Sequence, residues 1–140
     1  MVNDMLTPKE RLEQLEKVLQ RIEDLSEGVP TIVEGARDTD ALRRLGIAKN
    51  VIPLNTGKSV FSFCEDVSRS FTEAIVLTDW DRRGGRLARM LKEGLQANGV
   101  RANVELRAQI VILSKKEIKD IESLPTFVER LKALAASQRI

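Results

Sequence analysis

Two short apolar runs in this chain each end in acidic residues, and this pair of runs limits the possible folds more than any other feature. The first run is Thr31-Ile32-Val33-Glu34-Gly35, and the second is Ala74-Ile75-Val76-Leu77-Thr78-Asp79-Trp80-Asp81. Each is typical of a buried strand, and a segment with helical spacing follows each. Parallel strands in a βαβ sheet collect their carboxyl ends at one edge, where ligands bind. We therefore expect Glu34, Asp79 and Asp81 to meet in space.

Strand-like and helix-like segments alternate along the chain, which predicts an α/β domain with a mainly parallel four-stranded sheet flanked by helices. The predicted strands are 30–34, 50–54, 74–78 and 103–106, with 109–113 as a fifth strand or an edge segment. The predicted helices are 7–25, 38–45, 58–71 and 84–97. A turn at Asn55-Thr56-Gly57 follows the second strand. A capping box at Ser114-Lys115-Lys116-Glu117 predicts helical material that breaks at Pro125 and resumes in a last helix.

Apolar residues at helical spacing predict which side chains face the core. In the helix 58–71 these include Phe61 and Cys64, and in the helix 84–97 they include Met90 and Leu91. We therefore predict that Cys64 is a small buried apolar residue rather than a nucleophile. Trp80 lies between the two aspartates. If these face solvent, its ring packs on the opposite side, in the core or at its rim, and we favour this over a role in base stacking.

Composition removes several kinds of chemistry. Histidine and tyrosine are absent and Cys64 is the only cysteine, which excludes a cysteine zinc cluster, an intramolecular disulfide and a tyrosyl intermediate. The net charge of +2 does not by itself indicate a nucleic-acid partner, so such binding would need a local basic patch. No apolar stretch approaches the roughly 20 residues that span a bilayer, and the N-terminus is unlike a secretory signal. We expect a cytoplasmic protein with no membrane partner.

The N-terminal helix begins at a capping box, Thr7-Pro8-Lys9-Glu10, and carries one apolar face. Two arrangements account for that face. The helix packs on its own domain, or it forms a short seam in a homodimer. The first is favoured because a lasting coiled-coil seam needs more heptads than this helix provides.

The three expected neighbours Glu34, Asp79 and Asp81 are the candidate metal ligands. Alternate residues of an extended backbone point the same way, so Asp79 and Asp81 can hold one or two Mg²⁺ ions together with a third carboxylate. The competing interpretation is that aspartates in strand-to-helix loops only cap the next helix. Asp38 is either such a cap, which we favour, or an additional acid of the same site.

Several cations follow these acids and are expected at the same edge of the sheet, namely Arg37, Lys58, Arg82, Arg83 and Arg86. Gly84-Gly85 opens a helix whose first N–H groups favour anions. The set resembles a phosphate-binding site around a metal. The alternative is that Arg82 and Arg83 only neutralise the neighbouring acids.

The motifs Ile32-Val33-Glu34-Gly35-x-x-Asp38-x-x-Ala41-Leu42 and Val76-Leu77-Thr78-Asp79-x-Asp81-x-x-Gly84 resemble the Toprim domain. That domain occurs in type IA and type II topoisomerases, bacterial-type primases, OLD-family nucleases and the ribonuclease that matures 5S ribosomal RNA. The chain is similar to the small stand-alone Toprim proteins of archaea and some bacteria. The resemblance implies a Rossmann-like sheet in a Toprim domain at 29–113, with an N-terminal helical extension at 1–28 and a C-terminal helical segment at 114–140.

The resemblance also implies chemistry at the candidate site. Glu34 matches the family's general acid or base, which is often also a metal ligand, and Asp79 and Asp81 match the aspartates that hold Mg²⁺, for which Mn²⁺ is a substitute. Asp38 matches an acid that contributes to the metal site in some primases. A topoisomerase would need a tyrosine, and a primase would need a zinc module and further acids. Asp120 and Glu122 are late acids, but we expect them on an exposed helix face.

The hypothesis that remains is a Mg²⁺-dependent nuclease, or another phosphoryl-transfer enzyme, acting on RNA or DNA. Glu34 would activate water or protonate the leaving oxygen, and Arg37, Lys58 and Arg82 would hold the nucleic-acid backbone. A second hypothesis is a binding or adaptor module for nucleic acid that keeps a Mg²⁺ site without turnover. A small phosphate-bearing ligand such as a nucleotide is a third.

Overall fold

The computed structural model describes residues 5–47, 49–54 and 57–137. Helices and strands alternate along most of this length, as the sequence pattern predicts. In chain order the elements are α1 (Pro8–Leu25), β1 (Thr31–Val33), α2 (Ala36–Arg44), β2 (Val51–Pro53), α3 (Val60–Ser68), β3 (Glu73–Val76), α4 (Arg82–Ala97), β4 (Arg101–Asn103), α5 (Glu105–Ser114) and α6 (Leu124–Ser137). No helix within the described ranges is long and apolar enough to cross a bilayer.

The four strands form one sheet in the order β2-β1-β3-β4, and every neighbouring pair is parallel. Thr31 of β1 lies opposite Val51 of β2 on one side and Ile75 of β3 on the other. The predicted α/β class with a parallel four-stranded sheet is therefore confirmed. Because all the strands run the same way, the residues that follow β1 and β3 lie at the same edge of the sheet.

The sheet separates two apolar layers, and alternate strand residues supply them. Ile32 and Val76 belong to the layer that includes residues of α3 and α4, whereas Val33 and Ile75 belong to the layer that includes residues of α1, α5 and α6. All four side chains are fully buried. Burial on both faces explains why these strands are apolar throughout and do not alternate with polar residues.

The N-terminal helix begins as the sequence predicts. Thr7 accepts a hydrogen bond from the Glu10 backbone N–H, and Glu10 accepts one from the Thr7 N–H. The apolar face of α1, which includes Leu15 and Ile22, is buried against α6 and α5. Packing within the chain, the arrangement favoured from the sequence, is therefore confirmed, and the homodimer seam stays a prediction.

The segment after β4 differs from its prediction. The strand ends at Asn103, and residues 105–114 form helix α5 where we predicted the end of a strand and a fifth strand or edge segment. Leu106, Ile110 and Leu113 recur at helical spacing and are all buried, so the apolar pattern belonged to a helix face. Ser114 ends this helix instead of beginning the next one, and Pro125 lies in the first turn of α6, where proline is tolerated.

Other predictions differ in detail. Phe61 and Met90 were expected to face the core, but their side chains are 63% and 50% exposed. Cys64 is buried as predicted, and burial raises the pKa of its thiol to about 11. Gly57 has a φ of +81°, whereas Asn55 and Thr56 of the predicted turn lie outside the described residues.

Candidate functional site at the carboxyl edge of the sheet

Glu34 joins the ends of the two central strands. It follows β1 directly, and its Oε2 accepts a hydrogen bond of 2.9 Å from the backbone N–H of Asp79, which follows β3. Only 14% of the Glu34 side chain is exposed. The two acidic motifs, far apart in sequence, therefore meet at one edge of the sheet.

Asp38 closes the turn that contains Glu34. Its Oδ2 accepts a hydrogen bond of 3.1 Å from the Gly35 N–H at the beginning of α2, so the capping interpretation of Asp38 is correct. The residue is buried, and burial raises the pKa of its carboxyl, with the nearby charges of Glu34 and Glu122 acting in the same direction. Asp38 thus caps a helix and also adds negative charge to the edge.

Asp79 is the most perturbed acid of the site. Its Oδ1 accepts a hydrogen bond of 3.0 Å from the Ile121 N–H. Burial raises the pKa of Asp79 to about 7, and the charges of Asp38, Glu34 and Asp120 add to that rise while the Ile121 hydrogen bond opposes it. The fold therefore concentrates acids around Asp79 at a cost in electrostatic free energy, which a bound cation would relieve.

Asp81 lies two residues further on, at the N-terminus of α4. Its Oδ1 accepts a hydrogen bond of 2.7 Å from the Gly84 N–H, so it caps this helix, and its side chain is at the surface. Asp81 also acts electrostatically on Arg107, as do Glu34 and Asp79. The three predicted ligands therefore share one neighbourhood.

Gly84 is required where α4 approaches the end of β3. A Cβ atom at this position would lie 1.9 Å from the Asp79 carbonyl oxygen, which is far inside van der Waals contact. The Thr78 hydroxyl donates a hydrogen bond of 2.7 Å to the Gly84 carbonyl, which also holds the start of α4 close to the end of β3. The second glycine of the pair, Gly85, has open space around it.

Arg107 is a site residue that sequence reasoning missed. From α5 it donates hydrogen bonds to the carbonyl oxygens of Thr78, at 2.9 Å, and Asp79, at 2.6 Å. Burial lowers the pKa of its guanidinium, while Asp79, Glu34 and Asp81 raise it. The helix that carries it was predicted as a strand or edge segment, so no pattern placed it here.

The segment 115–123 crosses the same edge and corrects another prediction. Trp80 donates its backbone N–H to the Lys119 carbonyl and its indole Nε1–H to the Ile118 carbonyl, each at 2.8 Å. Its ring packs against the core layer that contains α1, as expected for a residue facing away from solvent. The expectation that Asp120 and Glu122 lie on an exposed helix face is wrong, because both belong to this non-helical segment.

The corrected placement brings both late acids to the site. Asp120 adds to the negative charge around Asp79, and its Oδ1 accepts a hydrogen bond of 2.8 Å from the Ser123 N–H. Glu122 lies 3.7 Å from Arg37 in an exposed ion pair. The sequence carries only a weak signal for placing Asp120 and Glu122 at the site, because tertiary contacts of the loop, and no regular pattern, bring them to this edge of the sheet.

The predicted cations are spread around this edge. Arg83 Nη1 lies 4.0 Å from Glu34 Oε1, and Arg37 pairs with Glu122. Lys58 forms its ion pair with Asp66 of α3, beyond the end of β2. The remaining two, Arg82 and Arg86, are exposed on α4.

The acids do not form a ready metal-binding group. Within the described residues, no three acidic, cysteine or histidine side chains are arranged to hold a metal ion. Glu34, Asp79 and Asp81 each use one carboxylate oxygen to accept a backbone N–H. Their second oxygens accept no hydrogen bond from the described part of the chain, so they are the atoms left for a ligand.

These features define an α/β protein with a parallel sheet and an acidic candidate site at its carboxyl edge. No protein-family model matches the chain. The UPF0292 protein of Methanosarcina barkeri (strain Fusaro / DSM 804) is 42% identical over 132 residues, which cover 94% of this chain and 92% of that protein. The chain therefore belongs to the UPF0292 family.

Two solved structures share the fold. A protein from Aquifex aeolicus has a TM-score of 0.65 and 29% sequence identity, covering 76% of this chain and 94% of that chain. The primase of Aquifex aeolicus, solved with its zinc-binding and RNA polymerase domains, has a TM-score of 0.52 and 23% identity. The match covers 86% of this chain and 28% of the primase, and at this identity it concerns the fold alone.

Proposed function

We propose that the chain is a Toprim-type protein that performs Mg²⁺-dependent phosphodiester hydrolysis on nucleic acid. The observation that carries the proposal is the hydrogen bond between Glu34 and the Asp79 backbone, which joins the two motifs that resemble the Toprim domain. The structural likeness to a primase concerns the fold and agrees with the Toprim-type part of this proposal.

The acids of the edge fit a hard divalent cation. Their donor atoms are carboxylate oxygens, which Mg²⁺ prefers, and each of Glu34, Asp79 and Asp81 keeps one oxygen that accepts no hydrogen bond from a described residue, although that of Glu34 lies 4.0 Å from Arg83. Burial raises the pKa of Asp79 to about 7, and the charges of Asp38, Glu34 and Asp120 act in the same direction, so a cation beside it would stabilise the ionised carboxylate. One or two Mg²⁺ ions held by these residues, or Mn²⁺ in their place, would stabilise charge on the phosphate and activate water.

The chain's own residues would divide the remaining work. Glu34 is the general acid or base, and its largely buried carboxylate is fixed in place by the Asp79 N–H. Arg83 lies beside Glu34 and, with Arg82 and Arg86, would bind phosphate groups as they approach. Arg107 positions the Asp79 backbone through its two carbonyl contacts rather than touching substrate.

One observation favours a second candidate, a nucleic-acid-binding or adaptor module that retains Mg²⁺ without turnover. Each of the three acids already accepts a hydrogen bond from a backbone amide, which gives it a structural role that needs no catalysis. A chain arranged in this way could use its acids mainly to hold the turn.

The test is cleavage of labelled single-stranded and duplex RNA and DNA by purified protein with Mg²⁺, with Mn²⁺ or with EDTA. We expect cleavage that requires the metal and disappears in Glu34→Gln. Glu129→Gln is the matched control, because Glu129 lies on the surface of α6 and pairs only with Lys132 among described residues. Absence of cleavage under every metal condition would refute the hydrolytic proposal.

Both candidates bind Mg²⁺ at the acidic site, and they differ in whether the bound metal supports cleavage. Calorimetric titration with Mg²⁺ should show binding that is lost in Asp81→Asn and kept in Asp40→Asn, a control acid that pairs with Arg43 on α2. For the adaptor module, salt-dependent binding of RNA or DNA should survive Asp79→Asn while no cleavage occurs. Loss of all nucleic-acid binding in Asp79→Asn would count against the adaptor.

A further inference from the structure

The outward face of α4 carries a net positive charge. Its exposed cations are Arg82, Arg83, Arg86, Arg89 and Lys92. The sequence of the helix contains a single acid, Glu93. Within the described part of the chain only Arg83 of this set forms an ion pair, with Glu34. A helix face of this kind is suited to an extended anionic partner.

Two large apolar side chains lie exposed beside that charge. Phe61 of α3 and Met90 of α4 are 63% and 50% exposed and line the same shallow cavity of about 340 Å³. Gly94 and Ala97 form part of its wall. Because the α4 wall contains these small residues and the Phe61 side chain is largely exposed, the cavity has room for a flat ligand beside the ring.

The charged face and the cavity form one path that begins at the acidic site. Arg83 lies beside Glu34, Arg86 follows on the next turn of α4, and Met90 comes one turn later. The distance from Arg83 to Met90 along the helix axis is about 10 Å, at about 1.5 Å per residue. Glu93 lines the same cavity and lies three residues beyond Met90 along α4, so this acid is at the end of the path farther from Arg83.

We propose that this path binds single-stranded nucleic acid, with phosphates on the arginines of α4 and one unstacked base on Phe61. The inference rests on the proposed function, since the strand would lead from the same acidic site. Stacking on an exposed aromatic side chain needs a base whose face is free, and bases in a duplex are covered by their neighbours. The path therefore selects single strands over duplexes.

The experiment is fluorescence anisotropy of labelled single-stranded and duplex oligonucleotides, in EDTA so that hydrolysis does not occur. Phe61→Ala should weaken single-strand binding about tenfold, within the range of one base–aromatic stack, and leave duplex binding unchanged. Phe61→Trp should keep the affinity, and Phe61→Leu should resemble Phe61→Ala. Ile112→Ala is the control, because Ile112 is 46% exposed on α5 and remote in sequence from the path.

A second variant tests the charged part of the path. Arg86→Gln should weaken binding and reduce the salt dependence of the affinity by about one phosphate contact. Arg44→Gln, an exposed arginine at the end of α2, is its control. Circular dichroism and thermal midpoints should be unchanged in both, since each side chain lies at the surface.

The outcomes separate this inference from the hydrolytic proposal. Equal single-strand affinity of wild type and Phe61→Ala overturns the inference, even where Mg²⁺-dependent cleavage is present. Binding that depends on Phe61 without any cleavage supports the inference and refutes hydrolysis. A mass by light scattering that falls in Phe61→Ala, with unchanged oligonucleotide affinity, assigns the cavity to a protein contact and also overturns it.

Discussion

The two strand-to-helix turns at the acidic edge are built differently. The turn after β1, residues 34–38, is closed locally, because Asp38 accepts a hydrogen bond from Gly35 three residues earlier. The turn after β3, residues 79–84, has a local cap at Asp81 but is also held from outside. Arg107 donates hydrogen bonds to the Thr78 and Asp79 carbonyls. The segment 115–123 accepts a hydrogen bond from the Trp80 indole and donates one to the Asp79 carboxylate.

This difference indicates where the site can tolerate change. The backbone of the first turn is closed by its own residues, since its contacts to other elements are made by the Glu34 and Arg37 side chains, and its glycine has open space around it. A turn that other elements hold on several sides has a fixed backbone and little room. We therefore expect substitutions in the second turn to cost more stability than matched substitutions in the first.

The largest expected difference in stability is between alanine substitutions of the two glycines, one in each turn. Gly84→Ala should lower the free energy of unfolding by about 3 kcal/mol, because a methyl group would overlap the Asp79 carbonyl. Gly35→Ala should cost less than about 1 kcal/mol, since its backbone is extended and its Cβ would contact nothing. Urea unfolding followed by Trp80 fluorescence measures both. Equal losses in the two variants would contradict the comparison.

The next effect is a pH dependence that belongs to the second turn. The pKa of Asp79 is raised to about 7, so the folded state holds its proton where the unfolded chain has released it. In EDTA, the free energy of unfolding should fall as pH rises from about 4, the ordinary pKa of an aspartate, to about 7, and then level off. Asp79→Asn should reduce this fall, and the part that remains comes from Asp38, whose pKa is also raised by burial.

The variant keeps an oxygen that can accept the Ile121 N–H, so its fold should be retained. Asp79→Asn should therefore be more stable than wild type above pH 7, as unfolding curves at several pH values will measure. The two proteins should converge near pH 4. Parallel curves over the whole range would show that the pKa of Asp79 is not raised by folding.

A smaller effect is expected where the C-terminal segment contacts the second turn. Trp80→Phe removes the indole hydrogen bond to the Ile118 carbonyl and keeps an aromatic ring in the apolar layer. We expect a loss of about 1 kcal/mol in the free energy of unfolding. Circular dichroism during urea unfolding measures it, since the variant lacks tryptophan. A loss near zero would mean that water replaces the bond.

The smallest effect is expected at the contact between α2, which follows the first turn, and the segment 115–123. Arg37 and Glu122 form an ion pair whose side chains are 85% and 56% exposed. Arg37→Gln should change the free energy of unfolding by less than about 0.5 kcal/mol, because exposed pairs contribute little. Thermal unfolding at low and high salt measures this. A larger loss that disappears at high salt would show that the pair holds the segment in place.

Sequence reasoning located the parts of the site that depend on neighbouring residues. Glu34 and Asp79 end buried strands, and the parallel sheet brings such ends together, so their meeting could be predicted from two short motifs. The Asp38 cap was likewise predictable because the helix and its cap are adjacent.

The contacts that sequence reasoning missed all come from elements distant in the chain. Arg107 was hidden because the apolar residues of α5 were assigned to a strand or edge segment, and the periodicity of a short run does not distinguish the two. Asp120 and Ile121 reach Asp79 through a loop with no regular pattern. The division into domains and the metal ligation stay predictions.

The dependence of the second turn on Arg107 and Ile121 has a consequence for biosynthesis. As the chain emerges from the ribosome, the strands that carry Glu34 and Asp79 precede the residues that hold Asp79 in place. Glu34, Asp79 and Asp81 are thus translated first, and their supporting contacts form only after α5 and the loop beyond it have been released. A nascent chain halted before these residues would carry the whole acidic signature and still lack a finished site.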